Sequence, residues 1–206
     1  MISKPPSVVI ESVEPLVDGG RYPVRCVAGD TLEVSADIFK DGHDVLTALV
    51  KWRPRGETAW HEAPMQPVGN DRWQGSIVLL ENRLYEFTLE AWGDAFRSWQ
   101  HEFHQKFEAG VSPLESETVE GTALLRAAAG RATDPKDRTR LTELAEELAA
   151  ADPERVHTIS HWSELEALMA AWPDRSLSTE WTPYGTIFAD RERARFAAWY
   201  EFFPRS

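Results

Sequence analysis

The chain has 206 residues, of which 42% are hydrophobic and 27% charged, with nine tryptophans; this is the composition of a folded protein able to bury a core, not of a disordered tail or a repeat array. Its formal net charge of -12 opposes a phosphate backbone, because nucleic-acid affinity comes mostly from basic side chains that displace counterions. No stretch approaches the roughly 20 apolar residues that span a bilayer, so neither nucleic acid nor membrane is expected as a partner. One cysteine, Cys26, allows no internal disulfide, and the N-terminal MISKPPSVVIESVEP lacks the continuous apolar run of an export signal, which makes the expected location cytoplasmic.

From Ser7 to about Glu102 the chain reads as short strands divided by turn residues, the spacing of an all-β sandwich. Strands are expected at Ser7 to Val13, Thr31 to Phe39, Val45 to Arg53, Ala59 to Gln66, Arg72 to Leu79, Arg83 to Trp92 and Phe96 to Phe103. Between them stand Asp18-Gly19-Gly20, Asp41-Gly42, Arg55-Gly56, Gly69-Asn70-Asp71 and Gly93-Asp94, which supply positive φ or side-chain-closed turns. Leu32, Val34, Ala36 and Ile38 alternate with polar neighbours, as do Tyr85, Phe87, Leu89 and Ala91, predicting one core face and one mostly wet face. Val45 to Trp52 is apolar on both phases and predicts a strand that is central or covered on its second side.

After Gly110 the period changes to that of helices, with Val111-Ser112-Pro113 as the joint. Asp134-Pro135 is an N-cap followed by the residue best suited to the first helical position, and Leu141, Leu144, Ala145 and Leu148 follow at helical spacing. A helix before it, about Leu114 to Ala129, carries Val119, Ala123, Leu124 and Ala127. A third, about Ser160 to Ala171, carries Trp162, Leu165, Leu168 and Met169 and stops before Pro173. Their apolar stripes are narrow, so these helices need one another, the sandwich or a partner chain. Trp172 to Phe188 reads as loop.

Chemistry is sparse. Asp41-Gly42-His43-Asp44 gathers two carboxylates and an imidazole, but neighbours in a turn rarely converge on one ion, and a structural hairpin is expected. His101 and His104, at i and i+3 just before the helical part, diverge in a strand running into a turn, so a buried or surface role is expected for them rather than ligation. Cys26, within Val24-Arg25-Cys26-Val27, reads as core rather than nucleophile. No Gly-rich phosphate loop, G-x-S-x-G elbow or H-E-x-x-H motif is present, and 34 acidic residues offer too many pairs to nominate an acid and a base. Trp52, Trp73, Trp92 and Trp99 fall in expected strands, where packing is their ordinary role. Trp60 and Trp181 lie near strand or loop ends and are candidate platforms for a sugar ring.

Three ordered stretches carry a resemblance: Pro15 to Val24 (PLVDGGRYPV), Ala36 to Asp44 (ADIFKDGHD) and Asp190 to Ser206 (DRERARFAAWYEFFPRS), joined by Gly69-Asn70-Asp71-Arg72-Trp73 and Tyr85-Glu86-Phe87. Together they resemble the N-terminal region of bacterial alpha-1,4-glucan:maltose-1-phosphate maltosyltransferases. The resemblance implies an immunoglobulin-like β-sandwich with an inserted or appended small helical bundle, ahead of an alpha-amylase-type (β/α)8 barrel. The implied partition is residues 1–110 for the sandwich, 111–173 for the helical insert, 174–195 for a return loop and strand to the sandwich, and 196–206 for the start of the barrel. A barrel strand buried on both faces would account for the oily Trp199, Tyr200, Phe202 and Phe203, which are candidate interdomain or dimer contacts and are expected to pack on the sandwich or a neighbouring chain. The nucleophilic aspartate, acid glutamate and stabilising aspartate that the resemblance implies belong to later barrel strands, so no catalytic residue carries over. Implied partners are the chain's own catalytic barrel and a second copy in a homodimer, with α-glucan and maltose 1-phosphate for the parent enzyme; no metal or organic cofactor is implied. The fragment's expected role is dimerisation and support of the catalytic domain. An α-glucan-binding module built on Trp60 and Trp181 is the alternative.

Overall fold

The structure is a computed structural model that describes residues 8–196. Eight strands come first: β1 (Val8–Glu14), β2 (Val24–Val27), β3 (Thr31–Lys40), β4 (Leu46–Pro54), β5 (His61–Pro64), β6 (Gln66–Gly69), β7 (Arg72–Val78) and β8 (Leu84–Gly93). Five helices follow: α1 (Ala95–Glu108), α2 (Glu115–Arg131), α3 (Pro135–Ala149), α4 (Pro153–Ser160) and α5 (Ser163–Ala171). The chain then returns through β9 (Thr179–Glu180) and β10 (Gly185–Asp190).

The strands form a four-stranded sheet in the order β1-β3-β7-β6 and a six-stranded sheet in the order β2-β10-β8-β4-β5, with β9 also paired to β8. The two sheets face each other: a Cβ built on Gly75 of β7 would lie 3.3 Å from Val50 Cγ1 of β4 and 3.0 Å from Met65 Cγ. Val34, Ala36 and Ile38 of β3 and Tyr85, Phe87, Leu89 and Ala91 of β8 are buried, as their alternation predicts. The β6–β7 hairpin turns on Asn70 and Asp71, both at positive φ, the backbone that a two-residue turn between right-twisted strands requires. The doubly apolar Val45 to Trp52 becomes β4, an inner strand between β8 and β5.

The described residues fall into two compact units. One holds the sandwich: the residues up to Lys40, Ala48–Ala91, and those from Thr179 onward. The other, Asp41–Thr47 with Trp92–Ser178, holds the helices. The helical core gathers Phe96, Trp99 and Phe103 of α1, Leu125 of α2, Leu141, Leu144 and Leu148 of α3, Ile159 of α4 and Leu165 of α5. Helices α1 and α2 approach so closely that a Cβ on Gly121 would lie 2.2 Å from the Trp99 ring, whose Nε1 donates to the Glu117 carbonyl at 2.7 Å. Glycine at mid-helix costs roughly 0.5–1 kcal/mol against alanine, and this ring contact is what requires it.

Several expectations are corrected. Phe96 to Phe103 is helix, not strand: Asp94 caps α1 by accepting from the Arg97 amide at 3.0 Å, and Phe96, Trp99 and Phe103 then share one buried stripe. Asp41-Gly42-His43-Asp44 is not a hairpin, since β3 and β4 belong to different sheets. It is a crossover whose continuation ties to α1, with the Val45 amide on Ser98 Oγ at 2.8 Å and Thr47 Oγ1 on Asp94 Oδ2 at 3.0 Å. Five helices are described where three were expected, because α1 replaces a strand and Pro153–Ser160 forms a helix of its own, capped by Asp152. The outer face of β8 is not wet: Thr88 and Glu90 are buried. On α2, Val119, Ala123 and Ala127 point to solvent, and Gly121, Thr122, Leu125, Ala128 and Ala129 form the packed face. Trp172 to Phe188 includes β9 and the start of β10, and β10 pairs in parallel with β2, placing Cys26 opposite Ala189. Cys26 is partly buried, and burial pushes its thiol up, away from nucleophile chemistry.

Candidate functional site

In β4 and β8 the residues that alternate with the buried Val50 and Phe87 put Lys51, Arg53, Glu86, Thr88 and Glu90 on the outer face of the six-stranded sheet. Because β9 pairs with β8 at Glu180 and Glu90, a third carboxylate joins them. Lys51 Nζ donates to Glu90 Oε2 at 3.0 Å and to Glu180 Oε2 at 2.8 Å, and Tyr184 Oη donates to Glu180 Oε1 at 2.7 Å. Arg53 donates through Nε and Nη2 to Glu86 Oε2 at 3.2 and 3.0 Å. Its guanidinium lies 4.2 Å from the centre of the Trp60 ring, which meets Tyr184 edge-on at 5.3 Å.

The electrostatics of this cluster oppose proton transfer at neutral pH. Burial alone would lower the Lys51 pKa, but the hydrogen bonds to Glu180 and Glu90 outweigh it and raise the ammonium above its usual range. Burial alone would raise Glu180, yet the bonds from Lys51 and Tyr184 hold it below the usual carboxylate range. The bond to Glu180 raises the Tyr184 phenol in turn. A carboxylate held ionised between two donors is a poor general acid at neutral pH.

Of the two expected platforms, Trp60 is half-buried, with one flank on Tyr184 and its face under Arg53. Trp181 is also half-buried, but it is tied into the sandwich: its amide donates to the Leu89 carbonyl at 2.9 Å, its carbonyl accepts from Thr88 Oγ1 at 2.6 Å, and its ring stacks on Phe87 at 6.0 Å. No ring contact joins Trp60 to Trp181 among the described residues. Trp199, Tyr200, Phe202 and Phe203 lie outside the described residues. The sequence reading missed Lys51, Arg53, Glu180 and Tyr184; the available signal was cations at alternate positions of one strand matched by Glu86 and Glu90 at alternate positions of another.

The helical unit carries a shallow concavity of about 500 Å³ between α3 and α5, bordered by Lys136, Asp137, Arg140 and Glu164. Its charges are largely paired, Arg140 with Glu164 at 2.8 and 2.9 Å and Asp137 with the Trp172 indole at 2.9 Å. No helix of the described residues is long and apolar enough to cross a membrane.

Two facing sheets with a helical unit and an ion-paired outer face define a sheet-rich sandwich domain with helices, without a nominated acid–base pair. Residues 6–191 match the family model for alpha-1,4-glucan:maltose-1-phosphate maltosyltransferase, domain N/S, and the chain belongs to that family. Curated relatives of that name include the proteins of Myxococcus xanthus (45% identical, covering 97% of this chain and 31% of that protein), Chlorobaculum tepidum (35%, 97% and 29%) and Pseudomonas aeruginosa (39%, 98% and 30%). The chain thus spans just under a third of the length of these relatives.

Proposed function

We propose that the chain is the N-terminal, non-catalytic region of a cytoplasmic maltosyltransferase that extends α-1,4-glucans from maltose 1-phosphate. In this reading the sandwich is immunoglobulin-like, the helical insert begins with α1 rather than at residue 111, residues 174–195 are the return to the sandwich, and 196–206 are the start of a (β/α)8 barrel. The observation that carries it is the match of residues 6–191 to the N/S domain of that family, together with relatives of that name of which the chain covers under a third. Reading the gene beyond Ser206 tests it. An alpha-amylase-type barrel with a nucleophilic aspartate and an acid glutamate is expected, and an unrelated continuation would overturn the proposal.

The region's own role is to support that catalytic domain and to form a homodimer. Val119, Ala123 and Ala127, one turn apart on α2, support this: they are apolar and exposed in the single chain, with Val119 at 69% exposure. Sedimentation at high micromolar concentration should show a dimer, and Val119→Glu should shift it to monomer. A monomeric wild type would remove the self-association.

A second reading, an α-glucan-binding module, draws on Trp60 beside Tyr184 and Arg53, an aromatic edge flanked by hydrogen-bond donors. Titration with maltoheptaose at millimolar concentration should then quench tryptophan fluorescence in the wild type and not in Trp60→Ala. No change in the wild type would eliminate it.

A further inference from the structure

Three of the six histidines converge in the helical unit. His104 lies on α1; His157 lies on α4, and His161 follows it one turn later at the helix C-cap. Residues four apart on a helix share a face, so His157 and His161 are presented together toward α1. One nitrogen from each ring lies within 4.8 Å of the others. His104 Nδ1 is 2.8 Å from His157 Nε2, the two rings meeting edge to edge and near-parallel with centres 5.1 Å apart, and Phe107 stacks on His157 at 4.5 Å.

The proton positions at this site follow from its partners. His161 Nδ1 is 2.9 Å from the His157 carbonyl, which can only accept, so Nδ1 carries the hydrogen and Nε2 keeps the lone pair. A ring N–H anchored on a backbone carbonyl is the arrangement that orients metal-bound histidines. His104 and His157 direct nitrogens at one another, and a hydrogen bond there leaves the pair sharing one N–H.

We propose that His104, His157 and His161 form a binding site for one divalent transition cation of the zinc class, which clamps α1 to α4. Imidazole suits zinc, copper and nickel ions, and three nitrogens leave a fourth position of a tetrahedral ion for water. Tetrahedral ligands at about 2.0–2.1 Å from the ion stand about 3.3 Å apart, so His104 and His157 separate by about 0.5 Å as the metal replaces the shared hydrogen. Both rings stay neutral, the shared N–H moving to the other nitrogen of its own ring, and because the ligands come from two helices binding stabilises the helical unit by mass action.

The test uses the untagged whole chain, stripped with a chelator and titrated with Co2+ as a spectroscopic probe. One equivalent should bind with the visible absorption bands of a four- or five-coordinate ion, Zn2+ should displace it, and saturating Zn2+ should raise the melting temperature. Losing a direct ligand should cost at least what losing a supporting partner does, so His104→Gln and His161→Gln should each weaken binding by roughly tenfold or more. His101, whose Nε2 instead contacts the Gln105 side chain at 2.9 Å, provides the control: His101→Gln should bind as the wild type does. His161 is exposed, so His161→Gln is expected to retain the wild-type circular dichroism spectrum. Absence of one-to-one binding to the wild type, or equal binding by His161→Gln, would overturn the proposal.

Discussion

Lys51 and Glu90 are buried in the sandwich at 9% and 7% exposure, whereas the buried polar side chains of the helical unit, among the described residues, are two hydroxyls. Thr122 Oγ1 donates to the Thr118 carbonyl at 2.8 Å and Ser160 Oγ to the His157 carbonyl at 2.8 Å, so each is satisfied within its own helix. A sheet can hold a buried charge because its partner stands on the next strand, one Cβ spacing away. The ion pairs of the helical unit, such as Arg140 with Glu164, lie at its surface, and the five helices depend on apolar packing around Phe103 and the leucines of α3. The sandwich should therefore respond to changes of charge, and the helical unit to changes of volume.

The largest effect expected from that contrast is at Phe103, which is fully buried between Trp99 and Phe107, with ring centres 5.7 and 6.4 Å away. Phe103→Ala should destabilise by about 3–5 kcal/mol through lost transfer energy and the cavity left behind. For a chain of this size that lowers the melting temperature by roughly 10 °C. The midpoint of the helical signal at 222 nm checks it, and a shift within about 2 °C would mean that the helices do not rest on this core.

How much of this was legible varies element by element. The alternation of β3 and β8 and the Asp134-Pro135 start of α3 were readable because each is a local pattern with a local cause. For α1 the signal was present and misread: Phe96, Trp99, Phe103 and Phe107 recur at helical spacing behind the Asp94 cap, but aromatic residues also favour strands. For α4 the pair Asp152-Pro153 repeats the start signal of α3 ahead of only eight residues, too few to show a period. The parallel pairing of β2 with β10 had no local signature, since its partners lie at opposite ends of the chain and four residues of β2 are too short to alternate clearly. The outer-face cluster was hidden for the same reason: Lys51 and Glu180 are 129 residues apart in sequence. The histidine cluster required α4 to be seen first.

A smaller effect tests the sandwich side of the contrast. Lys51→Met keeps the length of the side chain and removes the ammonium between Glu90 and Glu180. Breaking a dry ion pair costs about 3–5 kcal/mol; about 2–3 is expected here, because the Glu180 side chain keeps a third of its exposure and water compensates it in part. Urea unfolding measures this. Replacing Glu90 by Met as well should recover much of the loss, since an apolar pair of similar volume does not leave a buried charge behind. A double variant no more stable than Lys51→Met would show that Glu90 matters for something other than its charge.

The smallest effect is the acid response of Glu180. Its folded-state pKa is depressed, so the stability it contributes is fully present above its unfolded value near 4.3 and is lost as pH falls through the lower folded value. Lys51 works in the opposite direction: its folded pKa is raised, and its contribution is present below an unfolded value near 10.4 and lost as pH rises through the higher folded one. The contributions of Glu180 and Lys51 are therefore both at full strength from about pH 5 to pH 10, and the acid edge belongs to Glu180. Glu180→Gln keeps a carbonyl acceptor for Lys51 and turns its amide N–H toward the Tyr184 oxygen, which can accept, but it cannot titrate. Its stability should fall less steeply than the wild type's between about pH 5 and pH 3, while the two profiles run parallel from pH 6 to pH 9. Phe103→Ala, by contrast, should displace the whole profile downward without changing its acid slope. If Glu180→Gln and the wild type lost stability at the same rate in acid, the response would lie with other carboxylates. Glu117 would be the first to consider, because hydrogen bonds from Lys106 and Ser116 hold it at about 2, and it sits in the helical unit.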